Sequence, residues 1–252
     1  MENADLSHHI VSRYNADLEQ LRSNVLQMGG LVEAQLKLAL RALLEGDSAA
    51  GDEVVRAEYE VNSMQVSIDD ECSRILATRA PAASDLRLVV AIIKTVTDLE
   101  RIGDEAEKVG YIGSHHASLE RPADHYRVMR HLGRVVQEIV RDALDAFARL
   151  DAKSALEVAK RDRLIDEEYD AAQRQCITFM IEDPRSIRHA IDMLWIARAL
   201  ERIGDHAKNI CEYVIYTVYG RDVRHVSLGD VERHVHSLSE PQSLGSAAPA
   251  AE

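Results

Sequence analysis

A seven-residue stretch that occurs twice places acidic side chains at a spacing suited to binding a cation. The copies read Asp-Leu-Glu-Arg-Ile-Gly-Asp at 98–104 and Ala-Leu-Glu-Arg-Ile-Gly-Asp at 199–205, so six of seven positions agree. Both copies lie in segments with the apolar periodicity of a buried helix. In each copy two acids stand four residues apart: Glu100 and Asp104, then Glu201 and Asp205. On a helix this spacing puts both carboxylates on one face, about 6 Å apart along the axis.

Two further pairs lie at matching places in the two halves of the chain. The segment 47–49 (Asp-Ser-Ala) corresponds to 151–153 (Asp-Ala-Lys), which gives an offset of 104 residues. Under this offset Asp162 and Asp166 match Glu58 and Asn62. The sequence therefore predicts two side-chain pairs in each half: Glu58/Asn62 with Glu100/Asp104, and Asp162/Asp166 with Glu201/Asp205.

The chemistry expected of these pairs is the binding of a hard cation. Carboxylates on facing helices of a bundle can converge, and crowded carboxylates must pair with Lys or Arg, take up protons or bind a metal. All-oxygen ligation suits Mg²⁺, Mn²⁺, Ca²⁺ or oxidised iron. Asn62 can coordinate through its carbonyl oxygen but brings no charge, which weakens the site in the first half. A duplicated network of Arg–Glu ion pairs would explain the same pattern and stays open as the alternative.

The other residues that could do chemistry, a histidine, a tryptophan and three cysteines, are interpreted as structural. No nucleophile elbow, phosphate-cradling Gly loop or Ser/His pair appears, so we predict no catalytic residue and no organic cofactor site. His206 could reach a metal beside Asp205, but its place on the polar face favours an exposed histidine. Trp195 is interpreted as a packing anchor. The cysteines lie on apolar faces without CxxC spacing and are interpreted as reduced core thiols: Cys72, Cys176 and Cys211.

Six long helices are predicted to position these residues. Apolar residues recur at intervals of three and four, and Gly, Pro or Asp marks the ends. Asp47 or Ser48 is the predicted N-cap of the second helix and Ser84 that of the third, and Gly29-Gly30 is predicted to loosen the first helix. Gly103 and Gly204 each cost about 1 kcal/mol against Ala in a helix, so a helix or an ion is expected to come close there. The predicted helices span about 5–45, 48–79, 84–113, 124–149, 152–181 and 185–219.

The second half repeats the first, which predicts an all-α fold built as a tandem repeat of two antiparallel three-helix bundles. The heptapeptides are offset by 101 residues rather than 104, and the difference falls in an Ala-Pro loop, where insertions cost little. The stretch after 226 lacks a sustained apolar period. The predicted regions are a first bundle at 1–113, a linker at 114–123, a second bundle at 124–226 and a disordered tail at 227–252.

Composition and net charge indicate where the protein is located and which partners it can bind. The chain has 252 residues and is 46% hydrophobic, which is ample for a packed core. No window approaches 18 uninterrupted apolar residues and the start is polar, so we expect a cytoplasmic protein. A net charge of −13 disfavours nucleic acid as a partner, because that binding relies on Lys and Arg neutralising phosphates. Metal ions or basic protein surfaces fit this charge better.

Several short runs of the sequence are distinctive: MGGLVE at 28–33, PAASDLRL at 81–88, LERIGD at 99–104 and 200–205, and NICE at 209–212. Together they resemble the PhoU family of phosphate-specific transport system accessory proteins. The resemblance covers about residues 5–226 and leaves out the tail. It implies the six-helix, two-bundle fold and a cytoplasmic homodimer.

The resemblance also implies a role as a negative regulator of the phosphate-starvation response and of phosphate uptake. Family members are thought to relay the state of the phosphate ABC transporter, through its ATPase PstB, to the sensor histidine kinase PhoR. A member would therefore meet membrane complexes only through these partners.

A metal cofactor is a further implication of the resemblance. Some members bind clusters of iron or other metals through an acidic motif written E(D)xxxD, so the implied cofactor is a metal ion, with iron, manganese, magnesium and zinc left open. Glu58 fits only the first position of the motif, because Asn62 replaces the last acid. The full motif is matched by Glu100/Asp104, Asp162/Asp166 and Glu201/Asp205.

Two classes of function remain. One is a regulatory adaptor that binds proteins through its helical faces and uses metal as a structural or signalling cofactor. The other is a metal-dependent helical enzyme of the ferritin-like di-iron kind, which should carry Glu-x-x-His on two helices. No Glu in this sequence is followed three residues later by His, so the adaptor is the leading interpretation.

Overall fold

The computed structural model describes residues 2–116 and 123–224, together with 226, 229, 230, 232 and 233. Side chains are described from Tyr14 onward in the first helix and from Tyr126 onward in the fourth. Residues 117–122 of the predicted linker and most of the predicted tail lie outside the described residues. Both regions therefore stay predictions.

The described chain is helical and contains two bundles, as the sequence predicts. The helices are α1 (Glu2–Glu45), α2 (Ser48–Arg79), α3 (Ala83–His115), α4 (Ala123–Arg149), α5 (Ala152–Lys160), α6 (Asp162–Glu182) and α7 (Ile187–Tyr219), with a 3-10 turn at Pro184–Ser186. Helices α1, α2 and α3 pack against one another, and α4, α5 and α6 pack against α7. No helix in these ranges is long and apolar enough to cross a bilayer.

The predicted fifth helix, 152–181, is interrupted at Arg161 and forms α5 and α6. The backbone tightens here, because the Arg161 N–H donates to the Val158 carbonyl and the Leu164 N–H donates to the Arg161 carbonyl, both at 2.9 Å. The guanidinium of Arg161 pairs with Asp142 on α4. The prediction of one helix is wrong at this point, because a short 3-10 turn leaves the apolar spacing almost unchanged.

The helix starts follow the predicted capping with one exception. Asp47 accepts a hydrogen bond from the Ala50 N–H at 3.1 Å, which confirms the predicted cap of α2. The Ser84 cap is wrong, because α3 begins one residue earlier and Ala82 precedes it without a side-chain cap. Helix α3 also continues to His115, past its predicted end.

Two glycines related by the 104-residue offset let α1 and α4 approach closely. A Cβ at Gly29 would lie 2.6 Å from Cδ2 of Leu144, and a Cβ at Gly133 would lie 2.6 Å from Cδ2 of Leu40. Since Leu40 and Leu144 are also 104 residues apart, the same contact is made once from each half. Helix α1 is continuous through Gly29, so the prediction of a loosened helix there is wrong.

The most extensive helix contact in the described chain joins α3 to α7, the helices that carry the heptapeptides. Apolar residues of both copies are fully buried, among them Leu99, Ile102, Leu200 and Ile203. They belong to one continuous core shared by the two bundles. The heptapeptides therefore lie at the boundary between the halves.

The three cysteines are buried free thiols, which confirms their interpretation as core residues. Burial raises the pKa of the Cys72 thiol to about 12 and that of Cys176 to about 11. Burial also raises the pKa of Cys211. These thiols are therefore protonated and unreactive at neutral pH.

Candidate functional site

In the first half, the acidic residues of α2 and α3 face each other. Glu58 is 6% exposed and its carboxylate interacts electrostatically with Asp104 across the helix contact. Gly103 permits this approach, because a Cβ there would lie 2.9 Å from Oε2 of Glu58. Asn62, one helical turn further along α2, is exposed. The close contact predicted at Gly103 is confirmed.

A residue that the sequence did not single out, Gln35 of α1, completes this cluster. It is fully buried, and its Nε2 donates a hydrogen bond to Oε2 of Glu58 at 2.8 Å. Oε1 of Glu58 and Oε1 of Gln35 are buried without a hydrogen-bond partner among the described residues. A buried unpaired polar atom costs about 1–3 kcal/mol, which a proton on Glu58 or a nearby cation would offset. The available signal was a polar residue beside Leu36 in the apolar stripe of α1.

In the second half, the four predicted acids gather on one side of α6 and α7. Asp162 and Glu201 are buried. A Cβ at Gly204 would clash with Cδ1 of Ile165, so the close contact predicted at this glycine is also confirmed. The four carboxylates interact electrostatically with one another: Asp162, Asp166, Glu201 and Asp205.

Burial, together with crowding, raises the pKa of five carboxyl groups on these two faces. Burial is the largest cause in each, and the charges of neighbouring carboxylates add to it. Asp205 is exposed by surface area, yet surrounding atoms of α6 and α7 still desolvate its carboxylate enough to raise its pKa. The five groups are Glu58, Glu100, Asp166, Glu201 and Asp205.

Basic side chains neutralise part of this charge. In the second half Nη1 of Arg198 donates to Oε1 of Glu201 at 2.6 Å, and Nζ of Lys208 donates to Oδ2 of Asp162 at 2.7 Å. In the first half Arg101 lies 3.5 Å from a carboxylate oxygen of its neighbour Glu100. The alternative of repeated ion pairs is therefore partly realised.

Three predicted acids are left without such a partner. Within the described ranges, no Lys or Arg forms an ion pair with Glu58, Asp166 or Asp205. One buried oxygen of Glu201, Oε2, also lacks a hydrogen-bond partner in this part of the chain. Each half thus keeps acidic side chains that form no direct ion pair with its own Lys or Arg residues within the described ranges.

The donor set fits a hard cation, but no coordination sphere is assembled. Across the residues whose side chains are described, no three Asp, Glu, His or Cys groups are gathered closely enough to hold a metal ion. Binding would require rotation of the carboxylates to bring oxygens to about 2.0–2.6 Å from one point. The structure brings the predicted acids onto one face in each half, and metal binding itself stays a prediction.

A second polar cluster ties the halves together where α3 meets α7. Asp98 is buried, with Oδ1 lying 2.6 Å from Nδ1 of His206 and accepting a hydrogen bond from Nδ2 of Asn209 at 3.1 Å. The prediction of an exposed His206 is wrong. Helical periodicity shows that His206 lies on the polar face of α7, but it does not show that α3 covers this part of the face. The signal for Asp98 was its mismatch with Ala199 at the one variable position of the heptapeptide.

Glu105 of α3 makes a further ion pair across the contact between α3 and α7. Its buried carboxylate lies 2.7 Å from Nη1 of Arg202 on α7 and 2.9 Å from Nζ of Lys108 on its own helix. One carboxylate is thus shared by two cations. Removing a buried acid that pairs with two cations lowers the stability of the fold, because it leaves both cations without their partner.

Replacing Asp98 by Ala is expected to lower the free energy of unfolding by about 3 kcal/mol, because the half-buried polar atoms of His206 and Asn209 lose their buried acceptor. Urea denaturation of the purified variant measures this change. The control is Glu53→Ala, which removes an exposed acid from α2 and should change stability by less than about 0.5 kcal/mol. Equal losses in the two variants would contradict a specific role for Asp98.

Two residues differ from their predicted surroundings. Trp195 is 65% exposed, so its interpretation as a packing anchor is wrong. It lines a groove of about 550 Å³ between α3 and α7. His116, assigned to the linker, is buried with Nε2 lying 2.8 Å from Oδ2 of Asp192 on α7.

Comparison with known proteins agrees with the duplication and the fold. The PhoU domain family model matches residues 25–112 and again 129–214, which confirms the predicted repeat.

A Pseudomonas putida protein described as a phosphate-specific transport system accessory protein PhoU homolog is 52% identical over 223 residues, spanning 88% of this chain and 87% of the relative. The crystal structure of PhoU from Pseudomonas aeruginosa is 50% identical with a TM-score of 0.80, over 82% of this chain and 100% of that one. The phosphate transport system regulatory protein PhoU from Streptococcus pneumoniae is 29% identical with a TM-score of 0.77, over 83% and 99%. The chain therefore belongs to the PhoU family.

Proposed function

We propose that this chain is an accessory protein of a phosphate-specific transport system and acts as a negative regulator of the phosphate-starvation response and of phosphate uptake. The observation that carries this proposal is membership of the PhoU family through both repeats. Relatives with 52% and 41% identity are described as accessory proteins of phosphate-specific transport. A structural neighbour is described as a regulatory protein of phosphate transport.

The regulator would work as an adaptor between proteins. Its proposed partners are the transporter ATPase PstB and the sensor histidine kinase PhoR, which it would reach in the cytoplasm as a homodimer. The support is the family resemblance together with long helices that leave charged and apolar side chains exposed. Membrane complexes would be met only through these partners.

A metal ion is proposed as a structural or signalling cofactor of this adaptor. The residues that would hold it are the repeated acids of α2 with α3 and of α6 with α7, whose uncompensated charge and unpaired buried oxygens support the proposal. When bound, iron, manganese, magnesium or zinc would supply positive charge between facing helices. The carboxylates would then hold those helices together instead of repelling one another.

Catalysis is not part of this proposal, because the relatives are described as accessory proteins. The alternative is a metal-dependent helical enzyme of the ferritin-like di-iron kind. Aerobic oxidation of ferrous iron distinguishes the two. Oxidation faster than the buffer blank in the wild type, and not in a Glu201→Gln variant, would favour the enzyme.

Deleting the gene is expected to leave the phosphate-starvation genes expressed in phosphate-rich medium, because the sensor kinase would lose its restraint. A reporter fused to a phosphate-starvation promoter measures this, with a plasmid copy of the wild-type gene as the control. A reporter that stays silent in the deletion strain would contradict the regulatory role.

Affinity capture with this chain should recover the transporter ATPase or the sensor kinase.

A further inference from the structure

The two halves of the chain differ in how they neutralise an equivalent buried carboxylate. In the second half Nζ of Lys208 on α7 donates to Oδ2 of Asp162 on α6 at 2.7 Å. The 104-residue offset relates Asp162 to Glu58. The 101-residue offset of the heptapeptide helices relates Lys208 to Glu107. The first half therefore has an acid where the second half has the lysine that pairs with its carboxylate.

Contacts between the helices support this correspondence. In the second half a Cβ at Gly204 would clash with Cδ1 of Ile165. In the first half a Cβ at Gly103 would lie 3.4 Å from Cγ1 of Val61. The same two offsets relate one pair of residues to the other. Helices α2 and α3 therefore pack in the same register as α6 and α7, and the equivalence holds in three dimensions.

Glu107 adds negative charge beside Glu58 instead of neutralising it. Glu58 interacts electrostatically with both Asp104 and Glu107 of α3. Within the described ranges, neither Glu58 nor Glu107 forms an ion pair with a Lys or Arg. Arg198, which pairs with an acid of the second half, corresponds to Thr97. Both bases of the second half are thus replaced in the first half by residues without positive charge.

The first half also has buried oxygens without a partner. Oε1 of Glu58 and Oε1 of Gln35 accept no hydrogen bond from the described residues, although Gln35 is fully buried. A Cβ at Gly103 would lie 2.9 Å from Oε2 of Glu58 and 3.1 Å from Oε1 of Gln35. Oxygens of both side chains therefore border the same small space against α3. Buried acceptors of this kind need a donor or a cation.

The oxygens available in the first half are of two chemical kinds. The 104-residue offset relates Gln35 to Ile139, so an amide oxygen stands where the second half is apolar. Asn62 stands in place of the acid Asp166. Mg²⁺, Ca²⁺ and Mn²⁺ prefer carboxylate and amide oxygens as ligands. A small ion suits this place better than a side chain of another protein, because Gln35 and Glu58 are buried.

We propose that the first half binds a hard divalent cation between α1, α2 and α3, at the place that corresponds to the ammonium group of Lys208. Glu58 and Glu107 supply the negative charge, and the amide oxygen of Gln35 supplies a neutral ligand. The ion replaces repulsion between the two carboxylates by attraction to a common centre. The inference rests on the metal cofactor of the proposed function and adds two ligands outside the repeated pairs, Gln35 and Glu107.

Replacing Glu107 by Lys tests the correspondence, because it installs an ammonium group where the second half has one. The Glu201→Gln/Asp205→Asn protein serves as the background, since it removes the charge of α7 from the second-half site. Isothermal titration calorimetry with Mn²⁺ measures the dissociation constant. Glu107→Lys should raise this constant at least about tenfold, because its ammonium group occupies the place of the ion.

The matched control is Asp70→Lys, which makes the same change in charge at an exposed position of α2. Asp70 is twelve residues from Glu58, or about 18 Å along the helix, which exceeds the screening length of about 8–10 Å. This variant should change the dissociation constant less than about twofold. Equal effects of the two variants would overturn the assigned site.

Without metal, Glu107→Lys should raise the unfolding temperature of the otherwise wild-type protein by about 2 °C or more, because it pairs Glu58 instead of repelling it. Differential scanning calorimetry measures this shift. A variant that lost Mn²⁺ only because its fold was damaged would unfold at a lower temperature. A lower unfolding temperature would therefore overturn the equivalence of Glu107 and Lys208.

Two substitutions of Gln35 separate its oxygen from its hydrogen bond to Glu58. Both Gln35→Leu and Gln35→Glu lose the N–H that donates to Glu58, but only Gln35→Leu also loses the oxygen. In the same background, Gln35→Leu should raise the dissociation constant of Mn²⁺ about tenfold, and Gln35→Glu should not raise it. The control is Gln27→Leu, at an exposed position of α1. Equal weakening by Leu and Glu would overturn the role of Gln35 as a ligand.

The outcomes separate this site from the metal cofactor and from the regulatory role. A background protein that binds no Mn²⁺, although the wild type does, overturns the first-half site and leaves the second half standing. A wild type that binds no Mn²⁺ overturns the metal cofactor as well. None of these results changes the effect of deleting the gene, which tests regulation independently.

Discussion

Adding Mn²⁺ to the metal-free protein at pH 7, at about one hundred times its dissociation constant, is expected to raise the unfolding temperature by about 5–10 °C. Binding at that excess stabilises the folded state by about 2.7 kcal/mol, and 1 kcal/mol shifts the unfolding temperature of a chain this size by about 2–4 °C. The physical reason is that burial, and then the charge of neighbouring carboxylates, raises the pKa of the acids on α6 and α7, and a bound cation relieves both effects. Differential scanning calorimetry measures the shift.

The double variant Glu201→Gln with Asp205→Asn is expected to lose the part of this gain that belongs to the second half. The matched control is Glu53→Gln with Glu60→Gln, which changes the net charge equally at exposed positions of α2. The control should respond to Mn²⁺ as the wild type does. An equal response of both double variants would show that the ion acts through overall charge rather than at these faces.

Without metal, the same double variant is expected to be more stable than the wild type at pH 7, by at least about 0.5 kcal/mol, because a like-charged pair is removed. The ordinary pKa values are 3.8 for Asp and 4.5 for Glu, and folding raises those of Asp205 and Glu201. A raised carboxyl pKa means that the folded state binds the proton more tightly. The wild type therefore loses stability as the pH rises from about 4 through the folded pKa, and its deficit against the variant grows over that range. A deficit that is the same at pH 4 and pH 7 would contradict this reasoning.

Replacing Gly113 by Ala is expected to lower the free energy of unfolding by about 1–3 kcal/mol. The added Cβ would lie 2.6 Å from the backbone N and 2.8 Å from Cα of Leu43, in the last turns of α1. Backbone atoms cannot rotate aside as a side-chain tip can, so α1 and α3 would have to separate. The gain of about 0.5–1 kcal/mol from replacing a helical glycine is smaller than this cost.

The control for this prediction is Gly30→Ala. No heavy atom lies within 4 Å of a Cβ at Gly30, so only the helical preference acts and stability should rise by about 0.5–1 kcal/mol. Urea denaturation of both variants gives the comparison. A Gly113→Ala protein as stable as Gly30→Ala would show that the contact between α1 and α3 is looser than the structure has it.

The helices and the duplication were predictable because they depend on local spacing. Apolar residues at intervals of three and four fix which face of each helix is buried, and the two LERIGD copies give the internal repeat without any knowledge of packing. The acids at 100, 104, 201 and 205 share faces for the same reason. Gly103 and Gly204 could be interpreted because their cost in a helix needs a compensating contact.

The remaining features depend on contacts between distant segments. Gln35 becomes important only because α1 brings its amide to Glu58, and His206 is covered only because α3 crosses α7. Trp195 was misjudged because a large aromatic residue in a helix is usually buried, and its exposure depends on which helices surround α7. Arg161, at the break between α5 and α6, pairs with Asp142 on α4, a contact that the apolar spacing does not show. Periodicity along one helix contains none of this information.

We propose above that the duplicated acidic faces hold cations. Elemental analysis of the untagged protein, purified without chelator, measures this directly as metal per protomer. We expect bound iron, manganese, magnesium or zinc in the wild type and in the Glu53→Gln/Glu60→Gln control, and a clear loss in the Glu201→Gln/Asp205→Asn variant. A wild type without metal, or a variant with unchanged metal content, would contradict it.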